Sequence, residues 1–284
     1  MTNEDEKHLS LSVLPHPLDH PEGVAWGPDG NAYAGGEAGQ VYRINLEKNT
    51  CVAYANTGGF VLGMAHDADA NVYACDQNLR QIVKVTADGK TSTYSAGTDS
   101  QPMRVPNYPV FDAEGNLYVS DSGDWGQKNG WIWRIRPGGQ AEIWSHAANG
   151  FTNGMCLGPD TRSLYVVESS PPLISKIEIR ADGSAGQHSV VVELPRTVPD
   201  GVAFDAQGNL YISFYNPNHI TRFGTDGKLK ILYDDWEQLI LVAPTNIAFG
   251  GADMKTLLIA NLCGWNLVTA PMDVAGLRVK YPKL

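Results

Sequence analysis

The sequence has no long apolar run and no segment in which apolar residues recur with the 3.6-residue period of an amphipathic helix. The first absence argues against a membrane-spanning helix, and the second argues against a helical bundle. Basic residues form no cluster, and the net charge of −10 disfavours nucleic acid, because phosphate binding requires a positively charged surface. We therefore expect neither a nucleic-acid partner nor a membrane partner.

Cysteine is also scarce, with four residues in the chain and no CxxC pair. Cys51, Cys75 and Cys156 fall in strand-like stretches, so buried free thiols in a reducing compartment are favoured over disulfides. The sequence also leaves open the alternative of a disulfide between neighbouring repeats. The start, MTNEDEKHLS, lacks the basic region and apolar run of a secretory signal, and we expect a cytoplasmic location without export.

The sequence does contain one unit repeated six times. Each copy has a short apolar strand, a turn resembling D-x-x-G and a second strand that usually ends near a tyrosine, a pattern typical of a β-hairpin. The copies begin GVAWGPDGNAYAGG at Gly23, GMAHDADANVYACD at Gly63, YPVFDAEGNLYVSD at Tyr108, GMCLGPDTRSLYVVES at Gly154, GVAFDAQGNLYISF at Gly201 and NIAFGGADMKTLLIAN at Asn246. Their spacing of 40 to 47 residues, with strands only, predicts a β-propeller with one blade per repeat.

A third and a fourth strand follow each hairpin, except that the sixth copy has no obvious fourth strand after Pro271. The amino-terminal stretch from Leu9 to Leu14 has the pattern of a fourth strand. It should complete the last blade, which would leave no open sheet edge. We predict an all-β fold: a six-bladed β-propeller with four-stranded blades, closed by the N-terminal strand, as one domain over residues 1–284.

One position of the repeat, directly before each copy, carries the most informative side chains. We call its members the slot residues; they are Glu22, Leu62, Asn107, Asn153, Asp200 and Thr245. Equivalent positions of radially arranged blades converge on the central axis. Two carboxylates and two carboxamides should therefore meet at one end of the channel, and we call Glu22, Asn107, Asn153 and Asp200 the oxygen ring.

Oxygen donors of this kind suit a divalent cation, with Ca²⁺ most favoured, Mg²⁺ or Mn²⁺ possible and Zn²⁺ less suited. The simpler alternative is that Asn153 and Asp200, each followed by glycine, are ordinary turn residues. That alternative does not explain Glu22, and it does not explain why all four residues fall in register. We therefore predict one divalent cation, with some coordination positions left for water or a small-molecule substrate.

The second strands should end on the same face of the propeller, which brings two acids near the ring. These are Asp121 and Glu168, which we predict to contact substrate or to carry protons. The competing interpretation, at least as well supported by the pattern, is that they hydrogen-bond the loops between blades. His66, two positions into its inner strand, is another residue that could line the channel, although a packed or solvated histidine is the more common case.

The repeat motifs resemble those of the senescence marker protein (regucalcin)/gluconolactonase family. PEGVAW from Pro21, FTNGMCLGPD from Phe151 and VPDGVAFD from Val198 match the three metal-site motifs, and RVPNYPVFDAEGNLYVSDSG from Arg104 is similar to the fourth. The resemblance implies that Glu22, Asn153 and Asp200 bind one divalent metal in a six-bladed propeller. It further implies that Asn107 is a ligand or a substrate contact, and that Asp200 doubles as general base.

Members of this family hydrolyse sugar lactones or other cyclic esters, so the resemblance implies a metal-dependent lactonase with Asp200 and Asn107 as catalytic residues. Two positions depart from the family pattern. Asn107 is followed by Tyr108 instead of aspartate, and the arginine expected two residues before Asn107 is replaced by Val105, with Arg104 one position further back. We predict Arg104 and Tyr108 as substrate contacts, beside Asn107.

Three hypotheses follow from these patterns. The first is a metal-dependent lactonase, and the second is a phosphotriesterase with the same metal chemistry, as in the related diisopropylfluorophosphatases. The third is a non-catalytic propeller that binds a ligand in its channel or a partner at its surface. The insertion from Ser122 to Trp131 could fold over the channel mouth as a lid or form an ordinary exposed loop. No G-x-S-x-G motif points to a serine nucleophile.

Overall fold

The computed structural model describes residues 9–284, which form six four-stranded antiparallel sheets. Residues 1–8, on which much of the expectation about export rests, lie outside this range. Within residues 9–284, no helix is long and apolar enough to cross a membrane. The predicted six-bladed propeller of four-stranded blades is confirmed.

The first three blades follow one another along the chain, each with its innermost strand first. Blade one contains β2 (Val24–Trp26), β3 (Ala32–Gly35), β4 (Gln40–Asn45) and β5 (Thr50–Asn56). Blade two contains β6 (Val61–His66), β7 (Val72–Asp76), β8 (Gln81–Val85) and β9 (Thr91–Ser95). Blade three contains β10 (Pro106–Phe111), β11 (Leu117–Asp121), β12 (Trp131–Ile135) and β13 (Ala141–Ser145).

The last three blades repeat this order, except that the outermost strand of blade six comes from the beginning of the chain. Blade four contains β14 (Thr152–Leu157), β15 (Ser163–Ser169), β16 (Pro172–Ile179) and β17 (Ala185–Glu193). Blade five contains β18 (Val198–Phe204), β19 (Leu210–Asn216), β20 (His219–Phe223) and β21 (Leu229–Asp234). Blade six contains β22 (Pro244–Gly250), β23 (Thr256–Asn261), β24 (Asn266–Pro271) and β1 (Ser12–Val13).

The closing strand β1 is short, but it pairs where the sequence predicts. Ser12 lies opposite Thr269 and Val13 opposite Val268 in an antiparallel ladder with β24. The backbone N–H of Leu14 extends the contact by donating to the carbonyl of Leu267 at 2.9 Å. The predicted closure of the last blade by the N-terminal segment is therefore confirmed.

The aspartate of the repeat builds the tight turn between the first two strands of a blade. In blade two, Asp67 Oδ1 accepts from the backbone N–H groups of Asp69 and Asn71 at 3.0 and 2.9 Å. Its Oδ2 accepts from the Asn71 amide and from the Tyr73 hydroxyl at 2.7 and 3.0 Å. One carboxylate thus holds the turn and the tyrosine that follows it, which explains why these residue types recur together.

The hydrophobic core is divided among the six interfaces between blades. One cluster, for example, joins Tyr73 and Ile82 of blade two to Phe111 and Trp133 of blade three. Trp131 belongs to the same cluster, and Trp144 lies between blades three and four. Because burial of large apolar side chains is the main favourable contribution to folding, this packing is what holds the blades around the channel.

The four cysteines are free. The prediction of free thiols agrees with the structure, but the predicted burial holds fully only for Cys75. Cys51 and Cys156 are partly exposed, and Cys263 is exposed in a single 3₁₀ turn, Leu262–Gly264.

Candidate metal centre at one end of the channel

The slot residues lie where the inner strands begin, and in five blades the ladder is irregular at that point. The register shifts between Val61 and Met64 in blade two, and equivalent shifts occur in blades three to six. A bulge of this kind interrupts pairing and turns a side chain away from its regular direction. In these five blades the local irregularity therefore lets the slot side chain leave the regular alternation of its strand.

The glycines after the slots allow the inner strands to approach one another at the axis. A Cβ atom on Gly23 would lie 2.2 Å from the Leu62 carbonyl oxygen, and one on Gly63 would lie 2.4 Å from Cδ2 of Tyr108. Any larger residue would collide at these positions. The close approach brings the slot residues of different blades into one group.

The four residues of the oxygen ring are buried, with 5–6% of their surface exposed. Each has one oxygen atom that lacks a hydrogen-bond partner: Glu22 Oε2, Asn107 Oδ1, Asn153 Oδ1 and Asp200 Oδ1. Buried polar atoms are nearly always satisfied, since an unpaired one costs free energy. Four unpaired oxygens at equivalent positions of the repeat are available to a hydrogen-bond donor or to a cation.

The two ring carboxyl groups influence each other. Burial raises the pKa of Asp200 to about 7, although a hydrogen bond from Asn153 opposes the rise. Burial, and then the negative charge of Asp200, raises the pKa of Glu22 well above its ordinary value. Without a bound cation the site therefore favours protonated carboxyl groups, and a cation would compete with those protons.

Asn246 is a fifth member of this group that the sequence patterns did not single out. It takes the place that glycine occupies after the slot in four other blades, and it is 1% exposed. Its side-chain amide donates to Glu22 Oε1 at 3.1 Å, whereas its own Oδ1 has no partner. The departure from glycine was the feature that could have revealed it.

Hydroxyl groups fix the backbone of the ring from the neighbouring blades. Ser120 of blade three donates to the carbonyl of Asn153 at 2.8 Å, and Thr245 of blade six donates to the carbonyl of Glu22 at 2.6 Å. Ser213 of blade five likewise donates to the carbonyl of Thr245. Each bond ties one blade to a slot residue of the next, so the spacing of the ring depends on contacts between blades.

Asp121 and Glu168, which the sequence predicts as substrate contacts, have their carboxylate oxygens occupied by hydrogen bonds within the fold. Asp121 is fully buried and accepts from the backbone N–H groups of Arg104 and Val105, at 2.9 and 2.8 Å, and from Trp133 Nε1 at 3.0 Å. These bonds hold the segment that leads into Asn107. The alternative interpretation, that such acids hydrogen-bond the loops between blades, describes Asp121.

Glu168 has the equivalent role one blade further on. Its Oε2 accepts from the backbone N–H groups of Asn149 and Gly150 at 3.1 and 2.9 Å, and its Oε1 accepts from the Ser175 hydroxyl at 2.7 Å. Both oxygens are occupied, and the segment that they hold leads into Asn153. Asp121 and Glu168 thus fix the two segments that lead into the ring residues Asn107 and Asn153.

The insertion from Ser122 to Trp131 lies beside the segments that lead into the ring. Its Asp124 pairs with Arg104 at 2.6 Å, and its exposed Trp125 packs edge-on against Phe151 with ring centroids 5.0 Å apart. The Arg104 guanidinium also lies 5.7 Å from the centre of the Trp131 ring. The Arg104 side chain is therefore held in an ion pair with this loop.

Tyr108 points away from the ring's open end. Its side chain lines a cavity in the other half of the channel, together with His66. Burial raises the pKa of the Tyr108 phenol, with smaller contributions from Cys156 and Glu22. The contact of Tyr108 with substrate stays a prediction.

A further group of potential ligand atoms lies at the surface, on Asp19, His20 and Glu37. Here His20 Nδ1 already lies 2.9 Å from oxygens of both acids. The polar atoms of this group pair with one another, in contrast to the unpaired oxygens of the oxygen ring.

A six-bladed propeller with a buried group of carboxylate and amide oxygens on its axis defines a class of propellers with a central polar site. Residues 20–262 match the family described as the SMP-30/gluconolactonase/LRE-like region. The chain belongs to this family, whose members include lactonases.

The chain is similar to a 6-deoxy-6-sulfogluconolactonase of Pseudomonas putida, at 30% identity over 78% of this chain and 72% of that protein. It is also 30% identical to a diisopropyl-fluorophosphatase of Loligo vulgaris, over 68% of each chain. A match to a Sulfolobus acidocaldarius protein covers about half of that protein's length. Among solved structures, a calcium-binding regucalcin of Agrobacterium tumefaciens superposes with a TM-score of 0.82 at 18% identity, covering 97% of this chain and 98% of that one, and this likeness concerns the fold.

Proposed function

We propose that this protein is a hydrolase that opens a lactone ring and depends on one divalent cation bound by the oxygen ring. The observation that carries the proposal is the set of buried, unpaired oxygens on Glu22, Asn107, Asn153 and Asp200. A site made only of structural turn residues would have satisfied these atoms within the fold.

The donor set fits a hard cation, because every available atom is a carboxylate or amide oxygen. Ca²⁺ is the preferred ion, with Mg²⁺, Mn²⁺ and Zn²⁺ as alternatives. The four ring oxygens, with Oδ1 of Asn246 as a candidate fifth, are fewer than the roughly six to eight that Ca²⁺ takes. The remaining positions would accept water and substrate, which is the arrangement that separates a catalytic metal site from a structural one.

When bound, the cation would supply Lewis-acid polarisation of the lactone carbonyl. Asp200 would accept a proton from the water molecule whose oxygen bonds to the carbonyl carbon. The ring C–O bond then breaks, and the proton passes from Asp200 to the departing alkoxide oxygen. The product is a hydroxy acid, and Asp200 returns to its starting state.

We propose a sugar lactone as the substrate class, in line with the sulfogluconolactonase and a gluconolactonase of Zymomonas mobilis among the similar proteins. Asn107 would contact the substrate or the cation from blade three. Arg104, which pairs with Asp124, would supply a cation that orients a sugar hydroxyl or an acidic substituent. Asp121 and Glu168 would act only by positioning the segments before Asn107 and Asn153.

The test is to remove divalent metal with a chelator and to measure acid release from a panel of sugar lactones, aliphatic lactones and phosphotriesters. We expect lactone hydrolysis to disappear on chelation and to return with Ca²⁺, Mn²⁺ or Mg²⁺. A folded, metal-loaded protein that opens no lactone of the panel would contradict the proposal.

A phosphotriesterase is the second candidate, and the similarity to the diisopropyl-fluorophosphatase favours it. The same cation would polarise a P=O group in place of a carbonyl. Cleavage of phosphotriesters without lactone hydrolysis would establish this candidate. Inactivity towards both classes, together with a tightly retained ligand, would instead establish a binding propeller.

We also propose that the protein acts in the cytoplasm. Its four free cysteines support this location, because exposed thiols such as that of Cys263 persist in reducing compartments.

A further inference from the structure

The half of the channel beyond the oxygen ring is a mostly apolar cavity of about 390 Å³. All six inner strands contribute to its wall, with side chains such as Met64, Val110, Met155, Val202 and Ile247. Its volume lies within the range of small-molecule binding sites. We call it the lower cavity, and Tyr108, next to Asn107, lines the end that is nearest the ring.

A segment that no repeat pattern predicted covers the opening of the lower cavity. We call residues 275–284 the strap. It is fastened to blade five by the N–H of Leu277, which donates to the carbonyl of Phe204 at 2.9 Å. It then crosses to blade one, where the Tyr281 hydroxyl donates to the carbonyl of Trp26 at 2.6 Å, and to blade two, where the Pro282 carbonyl accepts from Ala68 at 2.8 Å.

The strap is fixed at its two sides and exposed in the middle. Residues 277–281 all line the cavity, and the three in the middle, Arg278, Val279 and Lys280, are also exposed to solvent. The charges of Arg278 and Lys280 can therefore remain hydrated.

The wall contains one polar group that the fold leaves unsatisfied. His66 is 3% exposed, lines the cavity and has no hydrogen-bond partner at Nε2. Its ring packs against Tyr33 with centroids 4.4 Å apart, which fixes its orientation. Burial lowers the pKa of His66 to about 4, so the imidazole is neutral at pH 7 and can donate or accept one hydrogen bond.

We propose that the lower cavity is a second binding site, for a small, uncharged, mainly apolar molecule with one hydrogen-bonding group that reaches His66. An aromatic alcohol has this chemistry. The apolar wall would bury the body of the ligand, and His66 would select for its hydroxyl group. This site does not depend on the hydrolase activity, because none of its wall residues belongs to the oxygen ring.

The test compares 1-naphthol with naphthalene, two probes that differ by one hydroxyl group, in equilibrium dialysis against the full chain. We expect one molecule of either probe per chain, with 1-naphthol bound about tenfold more tightly, as one buried hydrogen bond predicts. His66→Phe keeps an aromatic ring against Tyr33 but removes both nitrogens. In this variant 1-naphthol should fall to the affinity of naphthalene, and naphthalene binding should not change.

Two further variants locate the site. Ala203→Leu combined with Ala248→Leu fills the cavity from blades five and six, and should abolish binding of both probes. Asp200→Asn is the matched control at the other end of the channel, and should leave both affinities unchanged. Thermal unfolding establishes whether each variant is folded. If His66→Phe does not fold, the variant with Ala203→Leu and Ala248→Leu tests whether the probes bind in the lower cavity.

Failure of the wild-type chain to bind either probe would overturn the proposal, as would undiminished binding to the filled variant. Loss of naphthol binding in Asp200→Asn would move the probe to the oxygen ring and would also overturn it. Tighter binding of 1-naphthoate than of 1-naphthol would place the polar group of the ligand at Arg278 and Lys280 instead of at His66, and would contradict the uncharged ligand class.

Discussion

Two sets of buried carboxylates lie on the same face of the propeller, and the fold treats them in opposite ways. Asp76, Asp121 and Glu168, which we call the bracing carboxylates, have both oxygens occupied by loop N–H groups or side-chain donors. Glu22 and Asp200 each leave one oxygen unpaired. Burial alone thus does not distinguish the two sets of acids, whereas an unsatisfied oxygen does.

The strongest test of this difference is to replace a ring carboxylate by its amide. Asp200→Asn should lower lactone kcat/KM by at least about a hundredfold, because it removes the proton acceptor and one of only two anionic donors. Metal analysis should show a matching loss of bound cation, and Glu22→Gln should share that loss. Full metal content and activity in both variants would remove the oxygen ring from the catalytic site.

The same substitution should change how stability depends on pH in the metal-free protein. The pKa of Asp200 is about 7 in the fold and about 3.9 in an unfolded chain, so between these values the folded state binds more protons. The free energy of unfolding should therefore fall as the pH rises from about 4 to about 7. Relative to Asp200→Asn, the wild type should lose a few kcal/mol over this window, at about 1.4 kcal/mol per pKa unit.

Urea unfolding at several pH values, in the presence of a chelator, measures this difference. Saturating Ca²⁺ provides the control, because cation binding requires ionised carboxylates and should reverse the trend. If the difference in the free energy of unfolding between wild type and variant is constant across this pH window, burial does not raise the pKa of Asp200.

Replacement of a bracing carboxylate should instead lower the stability of the metal-free protein. Asp121→Asn should lower the free energy of unfolding by about 3 kcal/mol, because an amide nitrogen would then face the N–H groups of Arg104 and Val105 or Trp133. The effect should be the same with and without metal. Chemical denaturation checks it, and an unchanged stability would contradict the assignment of Asp121 to the loop.

The hydroxyl groups that tie the blades to the ring should give the smallest change. Ser120→Ala removes the bond to the Asn153 carbonyl and should cost about 1–2 kcal/mol of stability. Cation affinity should weaken moderately, since the position of Asn153 is no longer fixed. Ser184→Ala, on an exposed turn, is the matched control, and an equal loss in both variants would show that the contact at Ser120 has no special role.

The sequence was sufficient for the architecture because each blade repeats the same local chemistry. The Asp67 turn, the tyrosine after it and the apolar inner strand are all encoded within one copy. Closure by the segment at Ser12 and Val13 could also be predicted, since the sixth copy lacked a strand that only another part of the chain could supply.

Of the site, the repeat register predicted only which residues occupy equivalent positions of the blades. Register placed Glu22 and Asp200 together, but it could not show that the oxygens of Asp121 are occupied by N–H groups of another segment. Nor could it show the strap, because Tyr281 meets Trp26 through a non-repeating segment. Contacts outside the repeat depend on the three-dimensional path of the chain, which periodicity does not describe.

The pairing of β1 with β24 also sets an order of events during synthesis. Val13 and Val268 are about 250 residues apart, so at ribosomal rates of ~5–20 residues per second the first strand waits roughly 10–50 s for its partner. The residues from Asn266 onwards supply both β24 and the strap. The nascent chain therefore remains an open arc of blades until β24 has been made, and the strap that covers the lower cavity is made directly after it.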